Sequence, residues 1–230
     1  MPSYRALQDL PFEERYRRMS DPAVRAQLLA EEDPNDTGFS LIYKNPTLWE
    51  HTYVAGDPID YTPPKERSIA WIAKDRGMSP WAVAYDVLLG DGGRAMLTHF
   101  GVNYADGTPD ALNAMLKHPL GVLGLSDAGA HVRFIADAGV HTYMLTRWAR
   151  DAEGSPYHLP LETVVRKLTR NNAALYGFAD RGLIAPGMRA DINLIDLPQL
   201  SARVPRMAYD LPANMPRLVQ QVDGYVATLV

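Results

Sequence analysis

The sequence predicts an α/β protein in which βα units precede a small β-domain. The first observation is the order of the predicted elements between residues 94 and 149, where strands alternate with helices as in parallel βα units. The second is a short apolar run over residues 121–126 that stops abruptly at Asp127, a pattern typical of a buried parallel strand. The third is a change of pattern after Gly177, where turns and an alternating strand replace helices.

The composition excludes several classes of function. The chain has 230 residues, of which 47% are hydrophobic and 22% are charged, with a formal net charge of −4. It has no cysteine, which excludes disulfides, a thiol nucleophile and thiolate metal sites. No basic stripe indicates nucleic-acid binding and no apolar or amphipathic segment indicates membrane association, so a cytoplasmic protein is expected. The Gly-x-Gly-x-x-Gly, P-loop and Gly-x-Ser-x-Gly motifs are also absent.

Residues 1–63 are predicted to form a helical and irregular segment. Two charged helices are expected within residues 9–33, each opened by an acid followed closely by proline, at Asp9 and at Asp21. Short strands are expected at 39–43 and 49–54. Residues 57–64 are rich in proline and predict a rigid connector.

Residues 64–178 are predicted to contain the βα units. Helices over 68–77 and 79–90 each begin at a capping serine, and the first ends at Gly77. The elements expected after them are a strand at 94–100, a helix at 108–117, a strand at 122–127, a helix at 140–149 and a helical region at 159–177.

Residues 179–230 are predicted to belong to a small β-domain. Two strands, at 182–185 and 191–197, are joined by the turn sequence Pro186-Gly187. Asp191 is interpreted as a turn acid that leads into the second strand.

Asp127 is the first candidate for a functional residue. It follows the predicted strand at 122–127, and the carboxyl ends of parallel strands are where α/β barrels hold their catalytic groups. A carboxylate there suits a metal ligand or a general base. The alternative is a helix-capping or turn aspartate, since Ala-Gly-Ala follows it.

Several strings in order resemble one family. They are Leu-Ser-Asp-Ala-Gly-Ala-His at 125–131, Leu-Pro-Leu-Glu-Thr-Val-Val-Arg-Lys-Leu-Thr at 159–169, and Asp-Arg-Gly-Leu-Ile-Ala-Pro-Gly-Met-Arg-Ala-Asp-Ile-Asn-Leu-Ile-Asp at 180–196. Together they resemble the C-terminal portion of the amidohydrolase superfamily, in its N-acyl-D-amino-acid deacylase (D-aminoacylase-like) branch. Asp-Leu-Pro-Ala-Asn at 210–214 and the last nine residues resemble the closing segment of that branch.

The resemblance implies a fold and an activity. The fold is the last βα units of a partial TIM-like (β/α) barrel with part of a small β-sandwich domain. The activity is metal-dependent hydrolysis of the amide bond of N-acyl-(D-)amino acids or similar small amides, with zinc as the expected metal. Asp127 matches the aspartate that follows the last barrel strand of the family, which is both metal ligand and proton acceptor.

The sequence departs from the family pattern at the metal ligands. The family holds its metals with a His-x-His pair, and no such pair occurs among the six histidines of this chain. A catalytic zinc site needs about three protein ligands, and only Asp127 is assigned. A non-catalytic fragment, or half of a split barrel, is therefore an alternative. An amidohydrolase with cyclic-amide or deaminase activity is another.

Three further residues are candidates for substrate binding. His131 lies four residues after Asp127, and Arg133 is suited to a bidentate contact with a substrate carboxylate. Tyr104 follows the predicted strand that ends near His99. The alternatives are a loop histidine, a surface arginine and a packing aromatic. Because a partial barrel leaves apolar faces uncovered, a homo-oligomer or a complementing N-terminal portion is the expected partner.

Overall fold

The computed structural model describes residues 2–31, 46–100, 103–104, 106–124 and 126–230. The predicted strand at 39–43 lies outside the described residues. The chain divides into two compact units, unit 1 (Met1–Ala55 with Asp60–Thr108) and unit 2 (Gly56–Ile59 with Pro109–Val230). The predicted division at residues 63 and 178 stays a prediction.

Unit 1 is mainly helical in its described part. Its helices are α1 (Pro2–Gln8), α2 (Phe12–Met19), α3 (Pro22–Ala30), α4 (Pro46–Glu50), α5 (Ile69–Arg76) and α6 (Pro80–Leu88), with short helical turns at Lys65–Arg67 and Gly90–Gly93. Its strands are β1 (Thr52–Val54) and β2 (Leu97–His99), which pair antiparallel.

Unit 2 contains helices followed by short strands. The helices are α7 (Asp110–Lys117), α8 (Val140–Tyr143), the π-helix Met144–Arg150 that continues α8, α9 (Leu161–Leu168) and α10 (Arg170–Leu175), with 3₁₀ turns at Asp137–Gly139 and Pro212–Asn214. The strands are β3 (Ile192–Ile195), β4 (Ser201–Ala202), β5 (Arg206–Leu211), β6 (Met215–Val219), β7 (Val222–Asp223) and β8 (Tyr225–Leu229).

The helix ends of unit 1 follow from local sequence. The Oγ atoms of Ser68 and Ser79 each accept a hydrogen bond from a backbone N–H in the first turn of α5 and α6, at 3.2 Å in both cases. Asp21 caps α3 in the same way. Gly77 ends α5 in the left-handed region, with φ of 61°. These caps confirm the helices predicted at 68–77 and 79–90.

The core of unit 1 forms where α5 and α6 pack together. Its buried members are Trp49, Ile69, Ala73, Val83 and Ala84. The ring of Trp49 also meets that of Trp81 edge-on, with 5.0 Å between centroids. Because α4 carries Trp49 into this core, only Thr52–Val54 of the strand predicted at 49–54 is extended.

The core of unit 2 surrounds Trp148. The buried side chains packed around it are Leu116, Met144, Leu145, Ala149, Leu159, Val164 and Leu200. These residues come from α7, the π-helix, α9 with the segment just before it, and the segment before β4. The guanidinium of Arg150 donates to the carbonyls of Leu197 and Leu200, each at 2.7 Å, and thereby joins the π-helix to the β region.

The strands of unit 2 pair antiparallel in three two-stranded sheets, β3 with β8, β4 with β7, and β5 with β6. Across β3 and β8, Leu194 stands opposite Ala227 and Ile192 opposite Leu229. Leu194 and Leu229 are each 56% exposed, so this sheet presents apolar side chains outward. The strand predicted at 191–197 is confirmed over Ile192–Ile195.

The prediction of a strand at 122–127 is wrong for the residues of this segment that the structure describes. Residues 121–124 and 126–127 have no strand structure, and Val122 is 46% exposed. The backbone carbonyls here bond to side chains of the following helices instead of to a neighbouring strand. Lys167 Nζ donates to the carbonyl of Gly121 at 2.7 Å, and Asn172 Nδ2 donates to that of Leu123.

Two other predictions from the sequence need correction. Residues 182–185 form bends and irregular structure, not a strand, and Ile184 is 84% exposed. The two helices predicted within residues 9–33 are confirmed as α2 and α3, but Asp9 does not cap the first of them, because α2 begins after Pro11 with no side-chain cap. The described residues show mixed helix and strand with no parallel strand pair, so the partial TIM-like barrel stays a prediction.

Within the described ranges, none of the helices combines the length and the apolar character that crossing a membrane requires.

Lys167 is the buried cation of unit 2, with 7% of its surface exposed. We expect Lys167→Met to lower the free energy of unfolding by about 1–3 kcal/mol, because the carbonyl groups of His118 and Gly121 lose their buried donor. Urea unfolding followed by circular dichroism measures the change.

The matched control is Lys117→Met, since Lys117 is exposed and donates to the carbonyl of Pro156 from the surface of α7. It should change the free energy of unfolding by no more than about 0.5 kcal/mol. Equal effects of the two substitutions would show that burial gives the Lys167 contacts no special weight.

Candidate functional site

Asp127 lies at the start of a tight, exposed turn. Its carbonyl accepts a hydrogen bond from Ala130 N at 2.9 Å, and Gly129 within the turn has φ of 91°. Asp127 itself has φ of 51°, in the left-handed region that aspartate and asparagine tolerate better than most residues. The turn is closed by the backbone of Asp127, and the residue is exposed. It is therefore accessible to a ligand from solvent.

His131 and Arg133 lie on the same exposed loop as Asp127. His131 has φ of 44°, and its carbonyl accepts hydrogen bonds from Phe134 N at 3.0 Å and Ile135 N at 3.2 Å. Its ring stacks on that of Phe134, with 5.3 Å between centroids. Arg133 is exposed. The loop is fixed to β6 where the carbonyl of Val132 accepts from the backbone N–H of Leu218 at 2.7 Å.

A second acid, Asp137, interacts electrostatically with Asp127. Partial burial raises the pKa of the Asp137 carboxyl, and the negative charge of Asp127 raises it further. Asp137 opens the 3₁₀ turn that leads into α8. The loop therefore holds two carboxyl groups in different environments, an arrangement that acid–base catalysis uses.

Tyr104 belongs to unit 1 and is buried, unlike the other three candidates. Its hydroxyl donates to the carbonyl of Pro63 at 3.2 Å, and its ring meets that of Phe100 at 5.9 Å between centroids. These contacts are those of a packing aromatic. The structure therefore brings Asp127, His131 and Arg133 together on one loop of unit 2, and describes Tyr104 within the other unit.

His99, at the end of β2, is satisfied by a hydrogen bond within unit 1. The Thr52 hydroxyl donates to the carbonyl of Leu48 at 2.7 Å, so its oxygen accepts from His99 Nδ1 at 3.1 Å. Burial lowers the pKa of His99, and the charge of His51 lowers it further. Both effects favour the neutral form of His99, which is a hydrogen-bonded residue at the end of a strand.

The described residues do not by themselves fit a zinc site. Within them, no group of three or more His, Asp or Glu side chains converges closely enough to hold a metal ion. A tetrahedral catalytic site needs about three such protein ligands. Asp127 is the one ligand that the sequence assigns.

Sequence reasoning missed Asp137 and the lysines of a cleft in unit 1. An acid ten residues after Asp127, directly before a helix, was a detectable pattern, but a helix-opening aspartate usually has a capping role. Lys65 and Lys74 both line that cleft. Lys74 lies within the helix predicted at 68–77, and Lys65 lies between that helix and the connector predicted at 57–64. No spacing rule connects them before the chain is folded.

The sequence is similar to those of known proteins over most of its length. The sequence model of the amidohydrolase family matches residues 3–230. The chain belongs to the amidohydrolase family. Members of this family commonly use metal ions.

Relatives of this amidohydrolase occur in mycobacteria. An uncharacterized protein of Mycobacterium bovis is 31% identical over 194 residues, which is 81% of this chain and 31% of that protein. Two uncharacterized proteins of Mycobacterium tuberculosis match with the same identity and coverage. The chain thus spans 31% of the length of these relatives. No solved structure matches the chain.

We expect Asp127→Asn to lower the pKa of Asp137 toward its ordinary value, because the substitution removes the neighbouring negative charge and leaves the burial unchanged. Carbon-13 NMR titration of the aspartate carboxyl groups measures the shift. Asn also accepts the positive φ at position 127, so the turn should be retained.

Asp151→Asn is the control for this titration, since Asp151 pairs with Arg150 and makes no contribution to the pKa of Asp137. An Asp137 pKa that is identical in the Asp127→Asn variant and the unsubstituted protein would refute the interaction.

Proposed function

We propose that the chain supplies the acid–base carboxylate of an amidohydrolase that cleaves the amide bond of N-acyl-(D-)amino acids or similar small amides. The observation that carries the proposal is the position of Asp127. It is an exposed carboxylate on a turn whose hydrogen bonds are made by its backbone. The family match over residues 3–230 supports the reaction class, and the strings at 159–169 and 210–214 support the D-aminoacylase branch.

The proposed chemistry moves one proton twice. A water oxygen attacks the amide carbonyl carbon while Asp127 accepts a proton from that water. Asp127 then donates the proton to the amide nitrogen as the carbon–nitrogen bond breaks, which yields a carboxylic acid and an amine. Asp137 stands close enough to disfavour a second negative charge beside Asp127, and so influences when the loop holds a proton.

Substrate selection is proposed to involve the same loop. The exposed guanidinium of Arg133 is suited to bind the α-carboxylate of an N-acyl amino acid with two parallel hydrogen bonds. His131, stacked on Phe134, presents a polar ring edge beside an exposed apolar face. Tyr104 is proposed to act only through packing in unit 1, because its hydroxyl already donates to a backbone carbonyl.

We further propose that the metal is zinc, with its remaining ligands outside the described residues. We also propose that the fold is a partial TIM-like barrel with part of a β-sandwich and that the protein is cytoplasmic. Cyclic-amide opening or deamination is the alternative reaction. It uses the same proton acceptor but would have no need of Arg133, because such substrates need not carry a carboxylate.

In an intact enzyme that contains this sequence together with the remaining metal ligands, we expect Asp127→Asn to lower kcat for hydrolysis of N-acetyl-D-methionine by about a hundredfold or more, because asparagine cannot accept the proton. Amine release in zinc-containing buffer measures the rate. Asp151→Asn, on the surface next to Arg150, is the matched control and should keep the rate within about twofold. Hydrolysis retained in the Asp127→Asn variant would remove the proposed role.

The second candidate is a non-catalytic portion that works with a complementing polypeptide or with further copies of itself. It is favoured by two observations, the 31% coverage of the mycobacterial relatives and the exposed apolar sheet of β3 and β8. Under this candidate the chain alone hydrolyses no amide. An in-frame His-x-His in the coding DNA upstream of this sequence would identify the missing portion.

Self-association is the form of this candidate that can be tested on the chain itself. We expect light scattering after size exclusion to give a mass above the 25.5 kDa of one chain. The double variant Leu194→Thr and Leu229→Thr should shift the protein toward the mass of a single chain. It removes apolar side chains from an exposed sheet face and keeps β-propensity.

Leu120→Thr is the control for association, since Leu120 is 84% exposed on the loop after α7 and is not part of the sheet. It should leave the mass distribution unchanged. A monomer at every concentration in the unsubstituted protein would argue against self-association.

A further inference from the structure

A cleft of about 350 Å³ lies within unit 1, away from the loop of Asp127 in sequence. It is bounded by the segment from α4 to β1, by the turn at Lys65–Arg67, and by the first two turns of α5. Cavities of about 300–1,000 Å³ are typical of small-molecule sites. Neither the family match nor the relatives assign a ligand to this region.

The charges of the cleft favour an anion. Lys65 and Lys74 both line it, against the single carboxylate of Glu50. Among the described residues, neither lysine forms an ion pair with an acidic side chain. Their ammonium groups therefore remain available to a ligand.

The side chain of Lys65 lies close to the backbone of Gly107. A Cβ at position 107 would lie 3.1 Å from Lys65 Cε, so the side chain passes closely over this glycine. Gly107 has φ of 69°, which also favours glycine. Lys65 thus lines the cleft beside Gly107 while it remains exposed to solvent.

The other wall of the cleft is aromatic. Trp71 is 47% exposed although it belongs to α5, and Lys74 Nζ lies 6.0 Å from the centre of its ring. Tyr53 is buried, with its hydroxyl donating to the carbonyl of Glu50 at 3.3 Å. An exposed indole beside cations provides a flat surface for a planar ring and a charge for its substituent.

We propose that this cleft binds a planar organic anion, with the ring on Trp71 and the carboxylate between Lys65 and Lys74. His51, which also lines the cleft, offers a further polar contact. The site is separate from the amide hydrolysis proposed for Asp127 and does not rest on it. It provides unit 1 with a ligand-binding role of its own.

A titration of the full chain with cinnamate, observed by amide proton–nitrogen NMR, tests the proposal. We expect shifts at Trp71 and Gly107 and saturable binding. Cinnamamide, which has the same shape without the charge, should bind at least about tenfold more weakly, because it forms no charge-assisted hydrogen bonds.

Substitutions of the two lysines test whether they bind the carboxylate of cinnamate. Lys65→Met and Lys74→Met should each raise the cinnamate Kd by about tenfold. Arg76→Met, a loss of charge at the end of the same helix but outside the cleft, should leave it within about twofold. All three side chains are exposed, so the fold should be retained, and circular dichroism checks this.

Three results would overturn the proposal. They are no saturable cinnamate shifts at Trp71 and Gly107, equal binding of cinnamate and cinnamamide, and an unchanged Kd in both lysine variants. Because none of these measurements involves amide hydrolysis, their failure is distinguishable from a failure of the role of Asp127.

Discussion

The hydrogen bonds of the buried Lys167 ammonium are the interactions on which the geometry of unit 2 depends. A lysine is rarely buried unless its charge is matched, and here carbonyl oxygens supply the match. The two acceptors lie on the segment that leaves α7, so α9 directs where that segment runs. A few residues later the same segment becomes the turn of Asp127. The packing of α9 therefore helps to determine where the loop that carries Asp127 starts.

Much of the helical structure could be predicted because its causes are local. Ser68 and Ser79 are followed by helix-forming residues, and each hydroxyl caps the helix it precedes. The segment at 122–127 is the opposite case. Its apolar character suits a strand, but a strand needs a neighbour, and the carbonyls of this segment find Lys167 and Asn172 instead. Those partners are more than forty residues away, beyond the reach of periodicity.

The candidate site was predictable in part for the same reason. Asp127, His131 and Arg133 are close in sequence, so any turn places them on one loop. Asp137 was not identified because its electrostatic interaction with Asp127 requires the folded chain. The ligands of a metal are still harder to predict, since they converge from distant segments. The two lysines of the cleft in unit 1 are equally hard to predict, because only the folded chain shows that Lys65 and Lys74 line the same cleft.

The left-handed backbone of Asp127 has a consequence for how this position can change during evolution. Glutamate carries the same charge and would be the natural chemical replacement, but its longer side chain does not suit a φ of 51°. Asparagine and glycine suit the backbone and lack the carboxylate. Each available exchange thus loses either the turn or the carboxylate. Sequence drift at this position is limited by stereochemistry before catalysis is considered.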